Sequence, residues 1–300
     1  MKTKYAIFLL LTTAFLMTGC RQQIVTDDMD DKEKLEVLDR QIEKHPDDDA
    51  LLFQRAQVLL NMGHSKEASY DINKAVKIAP DNDKYLMLQA DIFLVNGDVS
   101  NSYTALSNAE KIAPESQEVQ LKMGELTFYN HDYDRSLKHL TKVTDKEPNN
   151  RTALFMKGFI YKEMGDTASA VTLLRKVCDI YPEYEPAFEE LGVLYATHHD
   201  PMAEEYLSTA LRLEPNNTNA MYALAMYYQE TERYDEAEKL YSQMLDINPN
   251  SADALNNLGW LEKEIYGDHE RAQEYFQKAL EADPTHEAAS QNLAIYTDKR

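Results

Sequence analysis

Cysteine, glycine and cationic side chains are scarce in this 300-residue chain. It has 2 cysteines, Cys20 and Cys178, so a disulfide framework and a cysteine-based zinc site are both excluded. It has 31 lysine and arginine residues against 52 aspartate and glutamate residues, a formal net charge of −21. Because a strongly negative surface repels phosphate backbones, we expect no nucleic-acid partner.

A long hydrophobic run is also missing. The apolar stretch at residues 5–17 is shorter than the roughly 20 residues that a helix needs to cross a bilayer. Lys2 and Lys4 precede this stretch, and the small residues Thr18 and Gly19 follow it. A basic start, a short apolar centre and a small-residue end are typical of a secretory signal.

The stretch LMTGC at residues 16–20 resembles the lipobox of bacterial lipoproteins, although Met17 stands where leucine is usual. The resemblance implies that residues 1–19 are a lipoprotein signal peptide and that Cys20 carries lipid, including acyl chains such as palmitate. Several acyl chains on one residue anchor a protein stably. The alternative is an ordinary secretory signal that ends at a chance cysteine.

The position after the cysteine bears on the membrane. In many Gram-negative bacteria an aspartate there retains a lipoprotein in the inner membrane, whereas this chain has Arg21. The resemblance therefore implies a lipid-anchored protein of the bacterial cell envelope at the outer membrane. Residues 20–31 would be the lipidated N terminus and a flexible tether.

Eight of the ten prolines form a ladder along the chain. Their spacing is 34 residues except for one interval of 33 and one of 35, and they stand at positions 46, 80, 114, 148, 182, 215, 249 and 284. Apolar residues between the prolines recur every three to four positions, which indicates helices. Proline cannot continue a helix, so each one ends a helix and forces a reversal. The two irregular intervals predict turns of different shape.

Residue size repeats with the same period. Twelve positions before the prolines the residues are all small: Ala68, Ser102, Ser136, Ala170, Ala203, Ala237 and Ala272. About 24 positions before them the residues are again small: Ala56, Ala90, Gly124, Gly158, Gly192, Ala225 and Gly259. Eight positions before them the residues are large: Ile72, Leu106, Leu140, Leu174, Leu207, Tyr241 and Phe276. Small residues permit close approach of two antiparallel helices, and the large ones fill the space between units.

The repeat length, the small positions and the proline resemble the tetratricopeptide repeat (TPR). The resemblance implies an all-α fold, a right-handed TPR superhelix or α-solenoid. Residues 32–48 would be an N-terminal capping helix and residues 287–300 a C-terminal capping helix. Seven helix-turn-helix units would occupy residues 49–286, with bounds 49–82, 83–116, 117–150, 151–184, 185–217, 218–251 and 252–286.

In a TPR stack the first helix of each unit lines a concave groove. We expect a partner-binding surface from the first-helix side chains that the core does not use: Phe53, Met87, Leu121, Phe128, Phe155, Phe159, Tyr222, Met226 and Trp260. Aromatic rings and methionine suit burial of a peptide or a helix of a partner. Packing between units is the competing explanation for each of these residues.

Three other features invite a chemical role. His198 and His199 sit in a turn with Asp200, but adjacent residues do not share a face and no fourth ligand is identifiable, so we expect no metal. Cys178 has no histidine partner in the repeat geometry, so we expect a small apolar core residue. The turn Asp166-Thr167-Ala168 resembles an O-glycosylation acceptor of some envelope bacteria, and the sequence leaves its modification open.

These observations predict a non-enzymatic scaffold with no cofactor. It would bind a protein or peptide ligand and aid assembly of an outer-membrane or secretion complex. The alternative is a glycan- or peptidoglycan-associated lipoprotein that uses its aromatic residues as sugar platforms. The sequence does not indicate the partner, the membrane leaflet or the oligomeric state.

Overall fold

The computed structural model describes residues 25–26 and 29–297. Every regular element in these ranges is helical and none is a strand, which confirms the predicted all-α helical-repeat fold. The predicted signal peptide and the anchor at Cys20 lie outside the described residues. Within the described part of the chain, no helix combines the length and the apolar character needed to cross a membrane.

One helix precedes a series of helix pairs, and another follows it. The first helices are α1 Asp31–Lys44, α2 Asp49–Asn61, α3 Ser65–Ile78, α4 Asp83–Val95 and α5 Val99–Ile112. They are followed by α6 Gln117–Tyr129, α7 Tyr133–Lys146, α8 Arg151–Glu163, α9 Thr167–Ile180, α10 Glu185–Ala196 and α11 Met202–Leu213. The last are α12 Thr218–Glu230, α13 Tyr234–Ile247, α14 Ala252–Leu261, α15 His269–Ala282 and α16 Glu287–Thr297, with a π-helical segment Glu262–Tyr266 after α14.

The chain divides into two compact units after Ile112. Helices α1–α5 belong to the first unit and α6–α16 to the second. Within each unit every helix packs against the next one in the chain, and most first helices also touch the first helix of the following pair. In a repeat protein each helix contacts only helices that are close to it in the chain, as is the case here.

Short polar side chains cap most of the helices that follow the ladder prolines, whereas α10 and α14 begin without a side-chain cap hydrogen bond. The residue two positions after Pro148 is Asn150, whose side chain accepts a hydrogen bond from the Ala153 N–H at 3.0 Å. Asn217 caps α12 in the same way, at 2.9 Å from the Ala220 N–H. Such caps satisfy N–H groups that the first helical turn leaves without partners. Proline thus ends one helix and the cap two residues later begins the next.

The three sets of periodic positions form the cores of the units. The small residues of both sets and the large residues eight positions before the prolines are all buried. In the second unit, the large member of the second helix lies against the glycine of the preceding first helix in four pairs. A Cβ atom added to Gly124, Gly158 or Gly259 would approach the side chain of Leu140, Leu174 or Phe276 to within 3.0 Å.

The tightest of these approaches is at Gly192 on α10. An added Cβ would lie 2.6 Å from Leu207 Cγ and 2.9 Å from the Leu207 backbone nitrogen. A side chain can turn away, but a backbone atom moves only if the helix moves. The α10–α11 pair therefore requires glycine at this position more strictly than the other pairs do.

We expect Gly192→Ala to lower the free energy of unfolding by about 1–3 kcal/mol, because overpacking outweighs the roughly 1 kcal/mol that alanine gains in helix propensity. Gly158→Ala is the matched control, since its new Cβ would meet only side-chain atoms of Leu173 and Leu174. Denaturant unfolding followed by circular dichroism measures both. Equal effects of the two substitutions would contradict this account of the packing.

In the first unit, a cluster of charged side chains joins three helices. Arg55 on α2 donates two hydrogen bonds to Asp71 on α3, at 2.7 and 2.8 Å, and one to Asp39 on α1 at 2.8 Å. Asp71 is buried, and the hydrogen bond to its side chain raises the pKa of Arg55. A bidentate pair satisfies both carboxylate oxygens, which is what permits a charged group in a core.

The extra residue of the seventh repeat, residues 252–286, lengthens a helix. The prediction placed it in the turn, but the structure widens the end of the first helix into the π-helical segment Glu262–Tyr266. There the Glu262 side chain is buried. Arg271 donates to its Oε1 at 2.9 Å, while Oε2 has no hydrogen-bond partner. Burial raises the pKa of Glu262, and Arg271 opposes the rise.

This raised pKa predicts a pH-dependent effect of Glu262→Gln. A carboxyl group whose pKa is higher in the folded state stabilises the fold when protonated, and this contribution is lost as the pH rises through the folded-state pKa. The glutamine cannot ionise and keeps an oxygen for Arg271. We therefore expect the stability of the variant relative to the wild type to increase between pH 4 and pH 7. Urea unfolding across that range measures the difference, and a constant difference would contradict the prediction.

Candidate functional site

In the second unit, first-helix residues spaced by four and then three positions form a partly exposed stripe. Small residues on the opposite side of these helices pack against the second helices, so the stripe is left outside that contact. We call it the first-helix stripe. It consists of Leu121, Glu125, Phe128, Phe155, Phe159, Lys162, Glu189, Val193, Tyr222, Met226 and Trp260, together with buried Asn256.

The centre of the stripe is a cluster of four aromatic rings from α6, α8 and the N-cap of α10. The Phe128 and Phe159 rings meet edge to face, with centroids 5.6 Å apart. Phe155 lies 6.5 Å from Phe159 and makes an edge-to-face contact with Tyr184 at 5.3 Å. Such contacts stabilise ring arrangements beyond the area that they bury. All four rings remain only half-buried, so this aromatic cluster presents apolar surface to the solvent.

Cations lie over two of these rings. The Lys162 ammonium is 4.3 Å from the centroid of Phe159, and the Arg151 guanidinium is 4.6 Å from that of Tyr184. Lys162 Nζ also donates to Glu190 Oε2 on α10 at 2.6 Å. A cation over a ring face is attracted to its negative face. The aromatic cluster therefore attracts cationic side chains, in a chain where acidic residues outnumber basic ones.

Two carboxylates on α10 converge beside the aromatic cluster. The Asn217 side-chain amide donates to Glu185 Oε1 and to Glu189 Oε2, each at 2.7 Å. Burial raises the pKa of Glu185, and the adjacent Glu189 adds to the rise. One amide nitrogen thus binds two carboxylates close together. The α10 side of the stripe is therefore negatively charged.

The C-terminal end of the stripe is held by internal contacts. The Tyr241 hydroxyl lies within hydrogen-bond distance of two acceptors, the sulfur of Met226 at 3.2 Å and Gln229 Oε1 at 3.1 Å. Tyr222 lies against the Tyr241 ring with a centroid separation of 6.4 Å, and Trp260 lies at the same distance from Tyr234. Tyr222, Met226 and Trp260 are half-buried and held in place by these contacts, so they offer a preformed surface.

The two predicted groove residues of the first unit, Phe53 and Met87, differ in their exposure to solvent. Phe53 is half-buried and stacks on Tyr85 with ring centroids 4.8 Å apart. The Tyr85 hydroxyl donates to Asp49 at 3.0 Å, and its burial raises its pKa to about 12. Met87 is only 3% exposed, so it packs inside the protein and offers no surface to a partner. The expectation that Met87 contributes to the groove is therefore wrong for this structure.

The first unit also contains a cavity of about 590 Å³ with mixed polar and apolar walls. It lies between α1, α2 and α4 and is lined by apolar residues such as Leu38 and Leu88 and by amide and charged side chains, among them Lys34, Gln54, Gln57, Asn61 and Asp91. Val25 also lines the cavity, so the chain just before α1 reaches its edge.

The three features that invited a chemical role each make local contacts in the structure. His198 Nδ1 lies 2.8 Å from the Leu194 carbonyl oxygen, and His199 Nδ1 lies 3.3 Å from Glu230 Oε2. The described residues contain no group of three or more side chains placed to hold a metal ion. Cys178 is buried, which raises the pKa of its thiol to about 12 and keeps it unreactive. Asp166 caps α9, accepting from the Ser169 N–H at 3.1 Å.

The sequence-based expectations missed two parts of the site. Tyr184 was not expected in the aromatic cluster, because it precedes α10 rather than lying on its stripe. Glu190 was not expected to bind Lys162, because it belongs to the following unit. Neither contact follows from the spacing of residues along a single helix.

Solved structures with a similar fold include two bacterial helical-repeat proteins. PilW, a widely conserved type IV pilus biogenesis factor, is 19% identical and superposes with a TM-score of 0.64 over 70% of this chain and 98% of its own. YrrB, a TPR protein with an unusual peptide-binding site, is 19% identical, with a TM-score of 0.52 over 63% of this chain and 98% of its own. At this level of identity the similarity shows the fold alone.

A sequence relative also exists among characterised proteins. The type IV pilus assembly protein PilF of Pseudomonas aeruginosa is 29% identical over a stretch that covers 40% of this chain and 48% of PilF. The chain therefore matches about half the length of this relative.

Three family models described as tetratricopeptide repeats match residues 50–82, 152–184 and 217–285. These stretches lie within the helix pairs of both units. The matches identify tetratricopeptide repeats in these three stretches of the chain, and the helical-repeat fold agrees with them.

Proposed function

We propose that this chain is a non-enzymatic scaffold whose first-helix stripe binds a segment of another protein. The observation that carries the proposal is the half-buried aromatic cluster of Phe128, Phe155, Phe159 and Tyr184. Clustered aromatic side chains with accessible apolar surface are typical centres of binding energy at interfaces. A partner segment laid along the stripe would bury what these rings still expose.

The similarity to known proteins favours a role in assembly. PilF is a pilus assembly protein, PilW is a pilus biogenesis factor, and YrrB has a peptide-binding site. By analogy with these proteins, this chain aids the assembly of an outer-membrane or secretion complex. A type IV pilus machine is the first such complex to test, since PilF is related in sequence over part of this chain.

The proposal includes a lipid anchor at Cys20. The lipobox-like LMTGC sequence supports it, and Arg21 favours the outer membrane. An anchor of several acyl chains would hold the repeats at the membrane surface without a spanning helix. The residues after Cys20 would then act as the tether that separates α1 from the lipid.

The binding role predicts the effect of the double substitution Phe155→Ala and Phe159→Ala. Because it removes two rings of the aromatic cluster, we expect recovery of the partner after cross-linking in the native host to fall at least about tenfold. Tyr70→Ala is the matched control, because Tyr70 is an exposed aromatic residue of α3, outside the stripe. Circular dichroism verifies that both variants remain folded.

Two results would contradict the binding role. One is a partner yield that Tyr70→Ala lowers as much as the double substitution does. The other is sedimentation of the purified protein with peptidoglycan sacculi in a manner that depends on Phe155 and Phe159. The latter would favour the glycan-binding alternative.

The anchor predicts that Cys20→Ala abolishes the incorporation of labelled palmitate and releases the protein from the membrane fraction. Cys178→Ala is the control, because that thiol is buried in the fold. Fractionation and labelling in the native host measure both properties. Unchanged labelling of the Cys20 variant would show that the lipobox assignment is wrong.

A further inference from the structure

We propose that Phe159 and Glu190 form a seat for a cationic side chain of the bound segment, and that the protein's own Lys162 occupies this seat when no partner is bound. The inference rests on the proposed function, since it names the chemistry of the segment that the stripe binds. We call the site formed by the Phe159 ring and the Glu190 carboxylate the cation seat.

The geometry of the seat is given by its present occupant. Lys162 lies on α8 three positions after Phe159, which places the two side chains on one face of the helix. Its ammonium is 4.3 Å from the Phe159 centroid and 2.6 Å from Glu190 Oε2. The ring and the carboxylate therefore contact the same ammonium, one through its face and the other through a charge-assisted hydrogen bond.

Lys162 is suited to leave the seat. Its ammonium is carried by a flexible four-carbon chain. The side chain is 22% exposed, so it has access to solvent. Glu163 lies beside it, with a carboxylate oxygen 3.8 Å from the ammonium and more exposed than Glu190. When a partner cation enters, Lys162 can move toward Glu163 and keep a carboxylate neighbour in the solvent.

The charge of the seat determines what can replace Lys162. If an apolar segment covered the Phe159 face and displaced the lysine, it would leave the Glu190 carboxylate buried without a counter-charge. Burial of an unpaired charge is strongly unfavourable. A segment that supplies its own lysine or arginine avoids this cost. The chain's net charge of −21 further favours the approach of a basic segment.

The surroundings of the seat favour a particular type of residue beside the cationic residue in the bound segment. Phe155 lies 6.5 Å and Phe128 5.6 Å from Phe159, so apolar surface flanks the seat within the reach of an adjacent side chain. The Glu185 and Glu189 carboxylates add negative charge on α10, the helix that carries Glu190. The structure therefore favours a segment in which lysine or arginine neighbours a large aliphatic or aromatic residue.

The competing explanation is that Lys162 and Glu190 only join α8 to α10. In that case Lys162→Ala would weaken the fold and any binding that depends on it. If Lys162 instead competes with the partner for the seat, the same substitution empties the seat and strengthens the binding of a cationic segment. The two explanations predict opposite signs for one measurement.

The test begins with a selection on the immobilised full-length chain, using a phage library of random 12-residue peptides. We expect enrichment of peptides in which lysine or arginine neighbours an aliphatic or aromatic residue, and loss of their binding in the Phe155→Ala, Phe159→Ala variant. Enrichment of acidic peptides, or of apolar peptides without a basic residue, would overturn the cation seat.

An enriched lysine peptide and its norleucine analogue are then titrated by fluorescence anisotropy. For the lysine peptide we expect Lys162→Ala to strengthen binding several-fold and Glu190→Gln to weaken it about tenfold. The norleucine analogue should bind more weakly to the wild type, and Glu190→Gln should not weaken its binding further. Lys157→Ala is the control on the same helix, because its ammonium binds the hydroxyls of Thr141 and Thr144 and is not part of the seat.

The failures of the two proposals are distinguishable. If peptides bind in a manner that depends on Phe155 and Phe159 but Lys162→Ala gives no gain, the cation seat is wrong and the binding role stands. If no selected peptide depends on those two rings, both proposals are wrong. Self-association seen by sedimentation and abolished by Phe155→Ala, Phe159→Ala would show that a second copy occupies the stripe, which also overturns the cation seat.

Discussion

The contact between the two helices of a pair is the constraint on which the rest of this structure depends. At that contact a large residue of the second helix lies against a residue of the first helix that has little or no side chain. At Gly192 the approach is so close that a Cβ atom would meet a backbone nitrogen of the next helix. A helix pair is thin, so burial of its core depends on many such contacts and on neighbouring pairs stacked beside it.

This constraint also creates the candidate site. Because each first helix packs against its second helix through its small residues, another of its faces is left free of that contact. Side chains there are not required by the core of their own pair, and in the second unit they include aromatic, charged and methionine residues. Neighbouring units then fix their positions, as Tyr241 does for Met226 and Glu190 for Lys162. The stripe is therefore preformed, which lowers the entropic cost of binding.

Much of the fold could be predicted from the sequence because one physical requirement recurs at a fixed interval. Proline spacing located the helix ends, and residue size located the buried faces, including Ala68 and Phe276. Contacts between different helices could not be predicted, since the spacing describes one helix at a time. The partners Tyr184 and Glu190 were therefore missed, and Met87 was assigned to the groove although it is buried. The extra residue of the seventh unit became a π-helical segment because helix widening accommodates one residue without disrupting the turn that follows.

The central claim is that the first helices of the second unit, rather than the second helices, contact the partner. Photo-crosslinking in the native host tests it most directly, with a photoreactive residue placed at Val193 on α10 or at the exposed Ser208 on α11. Our account predicts a discrete adduct with a partner protein from position 193 and none from position 208. An adduct from position 208 alone would contradict it.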